Sequence, residues 1–280
     1  MSERGDTGTS YSLRQAFKPE TVDDDAVAKM VAILDAQDAM ASTERLRAWA
    51  LGAAGLRAGE RCVDVGSGTG TMSRRLAGLA GPDGSGVGIE PNGMLRAVAE
   101  QRAAAEGSTA TFCQGLATEI PLPDACVDLV WCERVLQHLA DAQAAVNEMA
   151  RVLQPGGRLV VIDSDHESRV NSDIDPVVDR AITVAFLGQV ANPTAARHVP
   201  RQAITAGLSV DPAIGSSAVV FPQDLLVDFP LLALAAEQAV ADGTITRDQA
   251  AEAVRSQSEA ARHGWAFSAV TVFGFVCRKP

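Results

Sequence analysis

Lysine is nearly absent from this 280-residue chain, with three against 21 arginines, and Tyr11 is its only tyrosine. In an alanine-rich sequence the arginine bias points to a GC-rich genome and carries no mechanism. The basic residues form no stripe, and the formal net charge is −11. A phosphate backbone would be repelled, so no nucleic-acid partner is expected. No run of 18 apolar residues occurs, which excludes a membrane-spanning helix and leaves no membrane partner. The opening MSERGDTGTS lacks the apolar stretch of a secretion signal. The five cysteines (Cys62, Cys113, Cys126, Cys132, Cys277) are scattered, and no pair has metal-site or redox spacing. They are expected to be buried thiols of a cytoplasmic protein. Internal repeats and low-complexity tracts are also missing. What remains is an ordinary apolar content of 47%, ample for the core of one enzyme-sized domain.

The most informative stretch is Val63-Asp64-Val65-Gly66-Ser67-Gly68-Thr69-Gly70. β-Branched residues flanking an acid read as a buried strand of a parallel sheet. Glycines at alternate positions then let the backbone turn sharply and come close to a ligand. Thr71 to Leu79 resumes a helical pattern, so the loop feeds a helix N-terminus. Strand, glycine loop and helix make a nucleotide-type cradle. A dinucleotide loop prefers G-x-G-x-x-G and would need glycine where Thr71 stands. Gly86 to Glu90 reads as a second strand ending in an acid, 20 positions after Gly70. A carboxylate there suits the ribose hydroxyls of S-adenosylmethionine (SAM) and of NAD equally.

Further along come Cys113-Gln114-Gly115-Leu116-Ala117, Ile120-Pro121-Leu122-Pro123-Asp124 and the strand Val127 to Glu133. A helix from Ala142 to Leu153, the turn Gln154 to Gly157 and the strand Arg158 to Asp163 follow. The order I-PLPD, VDLVWC, LQHL, EMARVLQPGGRLVVID resembles the core of class I SAM-dependent methyltransferases, in the branch with ubiquinone and menaquinone C-methyltransferases. The resemblance covers about Arg57 to Asp165. It implies an α/β, Rossmann-like, seven-stranded, mostly parallel sheet with an antiparallel last strand, helices on both faces and a helical lid. The implied cofactor is SAM, released as S-adenosylhomocysteine. Its implied binding residues are Asp64, Gly66, Ser67, Gly68, Gly70, Glu90, Pro91, Met94, Leu116, Ala117 and Glu133. Family members commonly carry an aspartate for the adenine amino group where Leu116 stands. Leucine cannot accept that bond, so backbone groups near Leu116 and Ala117, or apolar contact with Met94, must hold the ring. The acids also lack the magnesium-chelating pattern of catechol methyltransferases, and no metal is expected.

The organisation expected is a helical lid over 1–56, a SAM-binding core over 57–222, a helical cap inserted at 223–264 and a closing strand at 265–280. Within these, helices are expected at Val22 to Ala41, Thr43 to Leu56, Asp175 to Gln189 and Ala195 to Gly207, and a sixth strand at Ser217 to Phe221. Asp163 to Glu167 reads as a polar loop at the carboxyl edge of the sheet, where ligands bind.

SAM chemistry is in-line attack by a nucleophile, and its main demand is positioning. A general base adds roughly 10²–10⁴-fold where the acceptor must lose a proton. The candidates are His138, Glu133, Asp165 and His166; His198 and His263 read as structural or exposed. Tyr11, Phe17, His138, Asp165, Phe186, Trp265 and Phe267 are expected to touch substrate, with Phe221, Phe229 and Phe273 near the roof. If several of these rings face inward, the small-molecule acceptor is apolar or aromatic. A SAM-fold protein that directs a rearrangement or cyclisation is the alternative, and an NAD(P) oxidoreductase a minor one. Monomer and homodimer both stay open.

Overall fold

The computed structural model describes residues 24–280. Two helices, α1 (Asp24–Asp38) and α2 (Ala41–Ala54), precede an alternating core. The core runs β1 (Arg61–Val65), α3 (Thr71–Ala80), β2 (Ser85–Ile89), α4 (Gly93–Glu106), β3 (Thr111–Cys113), β4 (Val127–Glu133), α5 (Ala142–Val152) and β5 (Leu153–Asn171). Then come α6 (Pro176–Gln189), α7 (Ala195–Thr205), β6 (Ser209–Val210), β7 (Gly215–Val220), α8 (Gln223–Val227), α9 (Pro230–Ala241), α10 (Arg247–Arg262) and β8 (Ser268–Arg278). The sheet order is β3-β2-β1-β4-β5-β8, and both β6 and β7 pair with the far side of β8. Strands β1 to β5 are parallel, and β8 runs antiparallel to β5. The family-type fold expected from the sequence is therefore present, with its outer strand split into β6 and β7.

The strand sequences explain the layering. Side chains alternate across a strand, and a parallel sheet is covered on both faces. Val63, Val65, Val130 and Val161 pack on one face with Val146 and Met149 of α5 and Val199 of α7. Cys62, Leu129, Trp131 and Val160 pack on the other with Leu46 and Ala50 of α2 and Leu76 of α3. A third cluster lies apart from the sheet. It joins Ile174, Val178, Ile182 and Phe186 of the α6 segment to Leu226, Phe229, Leu232 and Ala253 of α8 to α10. Asp175 caps α6 by accepting from the Val177 and Val178 amides, and Thr246 with Gln249 forms a capping box on α10.

Three local differences from the sequence reading have physical causes. Gln154 to Gly157 is not a free turn but a bulge within β5, where Leu153 pairs with Val127 and Arg158 with Leu129. Gly156, at φ 79°, absorbs the extra residues. The polar stretch Asp163 to Glu167 is strand as well, because β8 supplies it with backbone partners as far as Asp165. The thiols of Cys62, Cys132 and Cys277 are buried, whereas Cys113 and Cys126 are only half-buried. Burial pushes the Cys62 and Cys277 thiols up to about 12.

α2 lies on the β7–β8 edge with the Trp49 ring over two glycines. A β-carbon at Gly215 would stand 2.3 Å from that ring, and one at Gly274 would stand 2.8 Å from it. Gly215→Ala should therefore lower the melting temperature by about 2–8 °C, as overpacking of about 1–2 kcal/mol would. Calorimetry showing an unchanged transition would mean the indole moves aside at no cost.

Candidate functional site

The chain order of the sheet reverses between β1 and β4, the switch point at which open α/β sheets place their ligand crevice. The loop after β1 is Gly66 to Gly70, with φ of 73°, 52° and 78° at its three glycines, values that residues with a β-carbon rarely adopt. It is tied to β2 by the Gly66 and Ser67 amides, which both donate to the Ile89 carbonyl. A β-carbon on Gly66 would fall 2.4 Å from Val135 in the loop after β4, and one on Gly68 would fall 3.2 Å from Leu34 of α1. A β-carbon on Gly70 would meet the Phe112 ring at 2.7 Å. The three glycines thus admit three different neighbours, and α1 covers the loop.

Asp64 is buried beneath the loop and accepts from the Ser73 hydroxyl at 2.7 Å. Burial outweighs that bond and pushes its carboxyl up to about 7. Glu90, just past β2, is also buried. One oxygen accepts from the Gly68 amide and the other from the Asn92 amide, both at 2.9 Å. Burial again raises its pKa against those two bonds. Asn92 in turn caps α4. Pro91 lies between these two anchored residues, whereas Met94 and Leu116 are exposed and Ala117 is half-buried.

Glu133, at the end of β4, is held by two partners. Its carboxylate takes the Arg47 Nε at 2.8 and 3.0 Å and the Trp131 indole N–H at 3.1 Å. Arg47 also pairs with Asp38 at 2.6 Å, so one buried guanidinium joins α1, α2 and β4. The next residue, Arg134, has φ 57° and sends its guanidinium to the Thr43 hydroxyl. A left-handed non-glycine residue costs about 1–3 kcal/mol and is held only by strong surroundings. Asp163 of β5, fully buried, accepts from the Gln137 and Ser164 amides and is pushed up to about 7 by burial.

The two histidines proposed from the sequence are brought together by a residue that was not. Gln137 Oε1 faces His166 Nε2 at 2.9 Å, and Gln137 Nε2 faces His138 Nε2 at 3.1 Å. A carbonyl oxygen accepts, so His166 carries its proton on Nε2 and Nδ1 holds the lone pair. That Nδ1 is sealed from solvent without a partner. Burial lowers the pKa to about 4 at His138 and about 3 at His166, so both are neutral at neutral pH. Asp165 points elsewhere, to Arg197 Nε at 2.8 Å. Phe186 meets the His166 ring edge-on at 5.4 Å. Trp265 and Phe267 are exposed instead of roofing the site, and Trp265 stacks on His263 at 4.5 Å. The rings of Phe221 and Phe229 lie 5.2 Å apart, centre to centre, where the cap begins. Tyr11 and Phe17 lie outside the described residues.

Arg47, Gln137 and Arg169 were missed because each sits in an unremarkable helical or strand pattern. Only Gln137, between Leu136 and His138 of the LQHL segment, carried a signal that could have been used. Among the described residues, no group of three or more His, Cys, Asp or Glu is placed to hold a metal ion.

Residues 63–161 match the model of the family described as a methyltransferase domain. A ubiquinone/menaquinone biosynthesis C-methyltransferase UbiE of Hahella chejuensis is 30% identical over 189 residues, covering 66% of this chain and 74% of that protein. An uncharacterized 37.1 kDa protein in transposon TN4556 of Streptomyces fradiae is 33% identical over 187 residues, covering 65% of this chain and 54% of its own. Several other UbiE proteins match over 111 residues, 43% of their length. Among solved structures, the (4+2)-cyclase SpnF superposes with a TM-score of 0.53 at 21% identity, covering 85% of this chain and 81% of that one.

The crevice residues suit SAM. The glycine loop has room only for backbone, Ser67 Oγ is buried without a partner, and Glu90 presents a buried carboxylate. Glu90→Ala should raise the dissociation constant for S-adenosylhomocysteine about tenfold or more, as loss of a charge-assisted bond of roughly 1.5–3 kcal/mol would. Unchanged calorimetric affinity would remove Glu90 from the cofactor site. A second expectation concerns pH. Unfolded aspartates release their protons near pH 4, whereas folded Asp64 and Asp163 hold theirs to about 7. The folded state then binds more protons in that window, so these groups cost stability as pH rises from about 4 to about 7. Asp64→Asn should shrink the loss between pH 5 and pH 8 by on the order of 2–3 kcal/mol. An identical pH dependence in thermal unfolding would show that Asp64 titrates normally.

Proposed function

Because the chain belongs to the class I SAM-dependent methyltransferases, we propose that it methylates a small apolar or aromatic molecule held between the carboxyl edge of the sheet and the helical cap. SAM supplies an electrophilic methyl group to a carbon, nitrogen or oxygen nucleophile. One observation carries the reading: the histidine pair beyond the β4 loop reaches, through His166, the aromatic ring of Phe186 on α6, which packs with the cap helices.

The residues divide the work by position. Gly66, Gly68, Ser67 and Glu90 bind the cofactor at the mouth of β1 and β2. Leu34 and Val135 exclude water from the loop. Arg47 holds Glu133 and Asp38, so the two first helices are tied to β4 over the crevice. Gln137 orients both imidazoles, and His166 Nδ1 takes the proton that the acceptor gives up. With its basicity depressed by burial, His166 suits a proton made acidic by the methyl transfer itself, as on a methylated nitrogen or ring carbon. Glu133 and Asp165, whose oxygens are taken by arginines, serve as structural anions.

Incubation with methyl-labelled SAM and candidate aromatic acceptors should yield a product about 14 Da heavier together with S-adenosylhomocysteine. A product of unchanged mass would favour the rearrangement alternative. His166→Ala should lower turnover about 10²-fold, as loss of a general base does, while leaving S-adenosylhomocysteine affinity unchanged. Full turnover in that variant would reduce His166 to a packing residue.

A further inference from the structure

Between Asp165, paired with Thr271, and Val170, paired with Ala269, β5 carries four residues that β8 does not match. Such bulges re-aim side chains beside active sites. This one is stitched from within, since the Ser168 hydroxyl donates to the Asp165 carbonyl at 2.6 Å and accepts from the Thr271 amide at 2.8 Å. Its first residue is His166 and its last is Arg169. The guanidinium carbon of Arg169 lies 4.4 Å from the centre of the Phe186 ring and 5.8 Å from those of Phe221 and Phe229.

Arg169 differs from Arg47, Arg158 and Arg134. Arg47 has the carboxylates of Glu133 and Asp38, Arg158 has that of Glu60 at 2.6 Å, and Arg134 donates to the Thr43 hydroxyl. Arg169 has no carboxylate within ion-pair distance among the described residues, and its Nε is sealed from solvent without an acceptor. Asp179, whose charge acts on it, is held by Asn171 at 2.7 Å. Glu167, two residues back, is held by Arg197 at 2.6 Å and faces Arg180 at 3.8 Å. Burial lowers the Arg169 pKa to about 10, which still leaves it charged at neutral pH. Aromatic faces offset part of the cost of such a charge, each by about 0.5–2 kcal/mol, but they do not accept its N–H bonds. Around Phe186, then, a buried donor, Arg169 Nε, and a buried acceptor, His166 Nδ1, each lack a partner. Unsatisfied buried groups of opposite character on one ring are uncommon in folded proteins and call for an explanation.

We infer that Arg169 is a specificity-determining residue that receives an oxyanion of the methyl acceptor, so that the substrate class is aromatic or apolar carboxylates. The inference rests on the methyltransferase reading for the word acceptor, but not for the anion site. A planar guanidinium pairs with a carboxylate through two parallel bonds, and the three phenylalanines suit the apolar body that carries it. A hydroxyl or amine on the same molecule then faces His166.

The test is calorimetric titration of the full chain, with and without S-adenosylhomocysteine, using 4-hydroxyphenylacetate, indole-3-acetate and their methyl esters. The carboxylates should bind at least about tenfold more tightly than the esters, in keeping with a charge-assisted bond. That preference should fall below about twofold in Arg169→Met and be partly kept in Arg169→Lys, with S-adenosylhomocysteine affinity unchanged in both. Equal binding of acid and ester, no binding of any acid, or a preference that survives Arg169→Met would overturn the inference. Anion preference without affinity for S-adenosylhomocysteine would support the site and defeat the transferase reading. Affinity for S-adenosylhomocysteine without anion preference would do the reverse.

Discussion

Between β1 and β4 the strand order turns round, and two loops that would otherwise run side by side separate over the sheet. That separation is a consequence of connectivity, because right-handed crossovers place successive helices on opposite faces from this point outward. The crevice therefore exists before any side chain is chosen. Gly66 lets the β4 loop come within contact distance at Val135, and Gly68 lets α1 do the same at Leu34. A chain with side chains at these glycines would be forced apart at this switch point.

Charge is concentrated at the same edge, and burial governs its behaviour. Asp64, Glu90 and Asp163 lie where desolvation raises their pKa values, while the backbone amides of Gly68, Asn92, Gln137 and Ser164 oppose it. Glu133 is paired with Arg47, and breaking a buried pair of that kind costs about 3–5 kcal/mol. The pair is therefore a structural commitment of α2 to β4. It makes the roof over the crevice part of the fold and not an appendage. Arg169 stands out against this background, since Arg47 and Arg158 have carboxylates and Arg134 has the Thr43 hydroxyl, whereas Arg169 has only aromatic faces.

The cap adds a second apolar unit that shares little with the sheet. Its cluster draws on α6 as well as α8, α9 and α10, so the helix after β5 belongs to the roof as much as to the core. The β5 bulge and Phe186 are the points at which the two units meet the histidine pair.

The glycine loop, the acid after β2, the alternating strands and helices, and the helical nature of the 223–264 segment were all legible in the sequence. These are local properties, fixed by glycine conformations, side-chain periodicity and element spacing within a few residues. Several side-chain roles were not legible. Glu133 and His138, five residues apart, are drawn to different partners, Arg47 and Gln137. Asp163 to Glu167 became strand because β8, a hundred residues later, supplied it with partners. Trp265 and Phe267 read as roof but face solvent, and Arg169 read as nothing in particular. Local sequence determines which elements form and where the chain must turn. Which buried charge finds a partner depends on groups brought together from distant segments, and only the packed tertiary structure decides that.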